Sequence, residues 1–132
     1  MLGNVVGQTT GKRIVRRVLS VKPPTVEVTF EDQGAMLGVE ARGMGTYTSE
    51  VRADGTLFGE GQGAYMSAGG DMLAWKGWGL GKFGAGGAVS YRGILFFQST
   101  SPKWAPLNTV ACVFEYEVDA DGGTVAKVWE WK

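Results

Sequence analysis

Short runs in which apolar and polar side chains alternate one by one recur along nearly the whole chain, with no apolar stripe at helical spacing. The clearest sets Val26, Val28 and Phe30 against Glu27, Thr29 and Glu31, the pattern of a half-buried strand. Before it, Lys12 to Val21 reads as a strand stopped by Lys22-Pro23-Pro24, and after it come Met36 to Ala41 and Met44 to Arg52. Leu57 to Ser67, Met72 to Phe83 and Ala88 to Thr100 follow, each entered through a glycine-bearing turn signal at Asp54-Gly55, Gly69-Gly70 or Gly84 to Gly87. Ser101 to Asn108 is a proline-containing loop. Beyond it, Thr109 to Val118 and Thr124 to Trp131 are joined through Asp119 to Gly123. The first ten residues are the one candidate linker.

Long strands with a turn about every ten residues predict an all-β fold in which one domain, residues 1–132, forms a single eight-stranded antiparallel up-and-down barrel, since closure removes exposed edges. A sandwich is the other arrangement this spacing allows.

The 22 glycines need a structural reason first. Gly77-Trp78-Gly79-Leu80-Gly81-Lys82-Phe83-Gly84 contains the GxGxxG string of dinucleotide loops, but Ala88 to Phe97 after it is a strand, and phosphate binding needs a helix N-terminus there. Gly77, Gly79 and Gly81 instead occupy every second position, hence one face of one strand. Inside a barrel such a row either bends the strand or leaves volume for a ligand or for side chains from neighbouring strands.

Two-residue turns at Asp54-Gly55, Gly69-Gly70 and Ala85-Gly86 would place Ser49, Glu60, Gly79 and Arg92 in one transverse row, and Tyr47, Gln62, Gly77 and Ile94 in the next. That register puts Val51, Phe58, Met66, Leu73, Trp75, Phe83, Ile94 and Phe96 inside and Gly59, Gly61 and Gly63 outside. Glu60 and Arg92 are then two interior charges about 9.6 Å apart across Gly79, able to meet over it. They form either a buried ion pair or a catalytic pair, with Glu60 as general base and Arg92 holding a carboxylate or enolate oxygen. Tyr47, Ser49 and Gln62 would orient a ligand, Trp75 would pack against it, and Gly77 and Gly79 would leave it room.

Charge and residue counts narrow the chemistry further. Thirteen basic and thirteen acidic residues give no net field for nucleic acid or an anionic membrane. With no histidine, imidazole-based nucleophile systems and most zinc and non-haem iron sites are excluded; neither a metal nor a cofactor is expected. The single cysteine, Cys112, sits among alternating apolar residues as a small core side chain. Glu115, Glu117, Asp119 and Asp121 lack calcium-loop spacing and read as a solvated strand face and turn. No apolar run approaches the ~18 residues of a membrane span and no leader pattern opens the chain, so a cytoplasmic protein is expected. Ala88 to Phe97 is bulky on both faces, with Tyr91, Leu95 and Phe97 assigned outward, which predicts a homo-oligomer through that strand.

The alternating strands, the glycine-spaced runs GEGQG and GWGLG, and the closing EYEVDADGG before a Trp-Glu-Trp strand together resemble the small calycin-type barrels grouped with allene oxide cyclase and the dirigent proteins, and uncharacterised bacterial proteins of that type. The resemblance is one of architecture. It implies an eight-stranded barrel, self-association and a hydrophobic cavity that steers a reactive small molecule. The expected function is binding of a small, largely apolar molecule inside the barrel, extended to isomerase or cyclase activity if Glu60 and Arg92 act on it. A non-enzymatic structural barrel filled by its own side chains is the alternative.

Overall fold

The computed structural model covers residues 1–132 and is an eight-stranded closed antiparallel barrel in up-and-down order. The strands are β1 (Leu2–Val21), β2 (Pro24–Met36), β3 (Val39–Val51), β4 (Leu57–Ser67), β5 (Met72–Phe83), β6 (Val89–Gln98), β7 (Ala111–Val118) and β8 (Gly123–Trp131). β8 closes on β1 through pairs running from Leu2↔Trp131 to Lys12↔Gly123. The first ten residues are therefore strand rather than linker. No helix is long and apolar enough to cross a membrane.

Two boundaries differ from the alternation for local reasons. Met36 to Ala41 is interrupted by a two-residue turn, Leu37-Gly38, both at positive φ, with Met36 paired directly to Val39. The loop after β6 contains a short 3-10 turn at Ala105–Thr109. It carries Trp104, wholly buried, whose Nε1 donates to the Met36 carbonyl oxygen at 2.9 Å. Trp104 and Leu107 stopper that end of the barrel, packed with Met36, Leu73, Phe97 and Cys112. A second cluster of Phe30, Leu57, Tyr91, Tyr116 and Val118 fills the other end, and Trp75 and Phe114 touch both.

The expected register is overturned by loop length. Arg52 N donates to Thr56 O, Ser67 N to Asp71 O, Gly84 N to Ala88 O and Asp119 N to Gly123 O, so each of these hairpins has a three-residue loop. Gly55, Gly70, Gly87 and Gly122 hold the last loop position at positive φ, which an L side chain rarely adopts. One extra loop residue shifts each pairing by one, and a shift of one turns a whole strand over. Ser49 consequently lies opposite Gly59, Gly59 opposite Gly79, and Gly79 opposite Gly93. β5 keeps its expected face because two shifts cancel, whereas β4 and β6 are inverted. Phe58, Met66, Ile94 and Phe96 lie outside, at 38% to 50% exposure, and Phe83, the last residue of β5, is 57% exposed at the strand end, while Gly59, Tyr91 and Phe97 are buried.

Candidate functional site

The interior row of glycines is crossed by aromatic side chains from adjoining strands. A Cβ at Gly63 would come within 2.7 Å of the Trp75 indole, and one at Gly45 within 2.6 Å. At Gly81 it would meet the Tyr91 ring at 2.7 Å, and at Gly79 the Phe114 ring at 3.1 Å. The glycines thus seat rings, and little of the volume they release stays open.

A cavity of about 80 Å³ remains between the two clusters. Phe30, Trp75, Leu95, Phe97 and Phe114 give it apolar walls, and Gly77 and Gly79 lie in its lining. Its polar groups come from Asp32, Tyr47, Tyr65, Tyr91 and Tyr116. For scale, an engineered apolar cavity of about 150 Å³ admits benzene. A ring-sized molecule would enter here only if lining aromatics moved.

Asp32 stands at an inward position of β2, in register with the apolar Val28 and Phe30, and is 6% exposed. Tyr65 on β4 donates to its Oδ2 at 2.7 Å. Its Oδ1 makes no close hydrogen bond in the chain, nor do the Tyr116 hydroxyl and Thr9 Oγ1, although the Thr9 side chain stands near Asp32 and that of Tyr47 near Tyr116. Burial raises the Asp32 carboxyl above the usual carboxylate range, offset in part by the Tyr65 bond. Tyr116 is raised well above an ordinary phenol, chiefly by burial, and Tyr47 is pushed up to about 12 for the same first reason. The Tyr47 ring meets those of Tyr91 and Tyr116 edge to face, both at centroid separations of 5.9 Å. Ser49 and the Tyr91 hydroxyl share a short hydrogen bond.

Of the residues expected at a site, Tyr47, Trp75, Gly77 and Gly79 line the cavity, Glu60 belongs to its wall with its carboxylate turned outward to Trp78, and Ser49 joins it through Tyr91. Glu60, Gln62 and Arg92 have exposed side chains on inverted strands, and this corrects the interior ion pair. Glu60 Oε2 accepts from Trp78 Nε1 at 3.0 Å on the outer surface. Arg92 bridges outward to Glu117 at 3.0 Å and Glu115 at 3.7 Å. The two never meet across Gly79, where Gly59 and Gly93 are the neighbours. Tyr91, Leu95 and Phe97, expected outside, are interior, and the outer face of β6 carries Ile94 and Phe96 instead. Cys112 is 1% exposed, the core thiol its pattern suggested, with burial pushing its pKa up to about 11.

The alternation missed Asp32, Tyr65 and Tyr116, although two of them left a signal. An acid in register with Val28 and Phe30 falls on the buried face, and Tyr116 shares the parity of Cys112, Phe114 and Val118.

These features define a small closed β-barrel protein with a tyrosine-rich, mostly apolar interior. No family model matches the chain, and no curated protein matches it significantly. Solved structures do. It is similar to a protein of unknown function from Clostridium acetobutylicum, with a TM-score of 0.85 at 14% identity over 98% of this chain and 99% of that one. A β-barrel-like protein from Acinetobacter baumannii aligns with a TM-score of 0.82 at 12% identity, over 100% of this chain and 96% of the other. An enzyme from Penicillium herquei aligns with a TM-score of 0.71 at 14% identity, over 96% of this chain and 92% of that one. Such likenesses establish the shared barrel. None of the three carries an allene oxide cyclase name.

Proposed function

We propose that the barrel binds a small, largely apolar molecule carrying one or two polar groups, in the cavity bounded by Trp75, Phe114, Asp32 and Tyr116. One observation carries this reading: Asp32 and Tyr116, two residues of the lining of one apolar cavity, each hold a buried polar atom, Oδ1 and the hydroxyl, that makes no close hydrogen bond in the chain. An unpaired buried polar atom costs about 1–3 kcal/mol, which a ligand with a matching donor or acceptor would recover. Isomerase or cyclase activity would then rest on Asp32, a buried carboxyl that holds its proton to higher pH than usual and is oriented by Tyr65, as a proton donor or acceptor toward the bound molecule. Glu60 and Arg92 have no part in it.

A second reading, a structural barrel filled by its own side chains, is favoured by the rings seated on Gly45, Gly63, Gly79 and Gly81. Titration with phenol, followed by side-chain NMR of the tyrosine and tryptophan rings, separates the two. Saturable shifts at Trp75 and Tyr116 support binding. Absence of shifts, together with no retained small molecule in native mass spectra of freshly purified protein, would leave the filled barrel.

A further inference from the structure

From Ile14 onward β1 runs past the last β8 pair, Lys12↔Gly123, and is held only on its β2 side. This free edge is apolar and solvated: Val15, Val18 and Val21 are 56%, 68% and 83% exposed. Uncovered edges of this kind template pairing with other chains, and native proteins cover or blunt them. Lys12 to Lys22 carries five basic residues and no acid, in a chain of zero net charge. Arg17 is paired with Glu27, but Arg16 and Lys22 are in no ion pair.

Beside this projection lies its opposite. The end of β7 and the following turn carry Glu115, Glu117, Asp119 and Asp121; the first two share the bridge to Arg92, and Asp119 and Asp121 are in no ion pair. Arg13 N donates to the Gly122 carbonyl oxygen at 2.8 Å, so the basic edge and the acidic corner adjoin on one molecule. A two-fold axis between adjoining, oppositely charged patches brings each onto its counterpart in the other copy, the reciprocal contact of an isologous dimer.

We infer that the free edge of β1 docks on a second copy of this chain, with residues 14–22 of each protomer lying against the acidic β7–β8 corner of its partner. The apolar edge supplies burial, and the two charge clusters fix the partner and its orientation. A second basic edge would repel Arg16 and Lys22, which excludes direct pairing of the two β1 edges.

Sedimentation velocity at tens of micromolar tests this. The wild-type chain should assemble. One variant reverses the edge (Arg16→Glu with Lys22→Glu) and another reverses the corner (Glu117→Lys with Asp121→Lys); each should sediment as a monomer with an unchanged circular dichroism spectrum. An equimolar mixture should regain the wild-type boundary, because both reciprocal contacts are then complementary again. A monomeric wild type overturns the inference, as do variants that still assemble alone and a mixture that stays monomeric. An oligomer insensitive to both reversals would move the interface to another surface, such as the outer face of β6. A monomeric wild type that co-sediments with phosphatidylserine vesicles would assign the basic edge to anionic lipid instead.

Discussion

The Tyr65 hydroxyl on β4 donates to the Asp32 carboxylate on β2, two strands away across the barrel wall, at 2.7 Å. The carboxyl is raised mainly by desolvation, so in the window between the usual carboxylate range and its own higher value the folded chain keeps a proton that the unfolded chain has released. Its effect on stability is therefore most favourable at low pH and is lost as pH rises through that window. Asp32→Asn keeps an acceptor for Tyr65 without the charge. The stability of this variant relative to the wild type should increase with pH through the window and level off above it, in urea titrations from pH 4 to 8. A flat difference would mean that Asp32 titrates as an ordinary exposed acid.

Gly79 and Gly93 face each other on β5 and β6, yet they should respond differently to the same substitution. A Cβ at Gly93 would overlap the Trp78 carbonyl oxygen, which is backbone and cannot step aside. At Gly79 the nearest atoms are the Phe114 and Tyr91 rings, at 3.1 and 3.3 Å, which can give by a few tenths of an ångström. Gly93→Ala is expected to cost about 1–3 kcal/mol by overpacking, and Gly79→Ala less, in thermal or urea melts. Equal costs would mean that close strand approach is not why β6 has a glycine there.

Glu60 and Arg92 should be energetically independent. Each has its own partner on the outer surface, Trp78 for the first and Glu115 with Glu117 for the second. A double-mutant cycle of Glu60→Gln with Arg92→Met should give a coupling within ~0.3–0.5 kcal/mol of zero. A larger coupling would revive an ion pair between them.

The alternation made the strands and their order legible, because period-2 burial and glycine turns are local signals. Register was not local in the same sense. Asp54-Gly55 and Gly69-Gly70 fit two-residue hairpins by composition, but in each the second residue, Gly55 or Gly70, serves as the positive-φ residue closing a three-residue loop. One residue of loop decides the face of every side chain on β4 and β6. This is why Tyr47, Trp75, Gly77 and Gly79 were placed inside correctly while Glu60, Gln62 and Arg92 were not. The Trp104 stopper was hidden because a proline-bearing loop gives no periodicity to read.

Tyr116 offers the sharpest test of whether the cavity is built for a ligand. Its hydroxyl is buried and makes no close hydrogen bond, with only the Tyr47 side chain nearby to interact with it, so in the free protein it carries a desolvation cost that is poorly offset. Tyr116→Phe keeps the ring contacts with Phe30 and Tyr47 and removes only that oxygen. The variant should be as stable as the wild type or more so, by up to about 1–3 kcal/mol. If the hydroxyl exists to hold a ligand, the same substitution should weaken binding of phenol, and the upward shift of the melting temperature with phenol should shrink. Stability and binding would then move in opposite directions, as expected where a polar group is kept for function at the expense of the fold. If Tyr116→Phe is destabilising and leaves phenol binding unchanged, the hydroxyl is structural, and the site loses one of the two groups that define it.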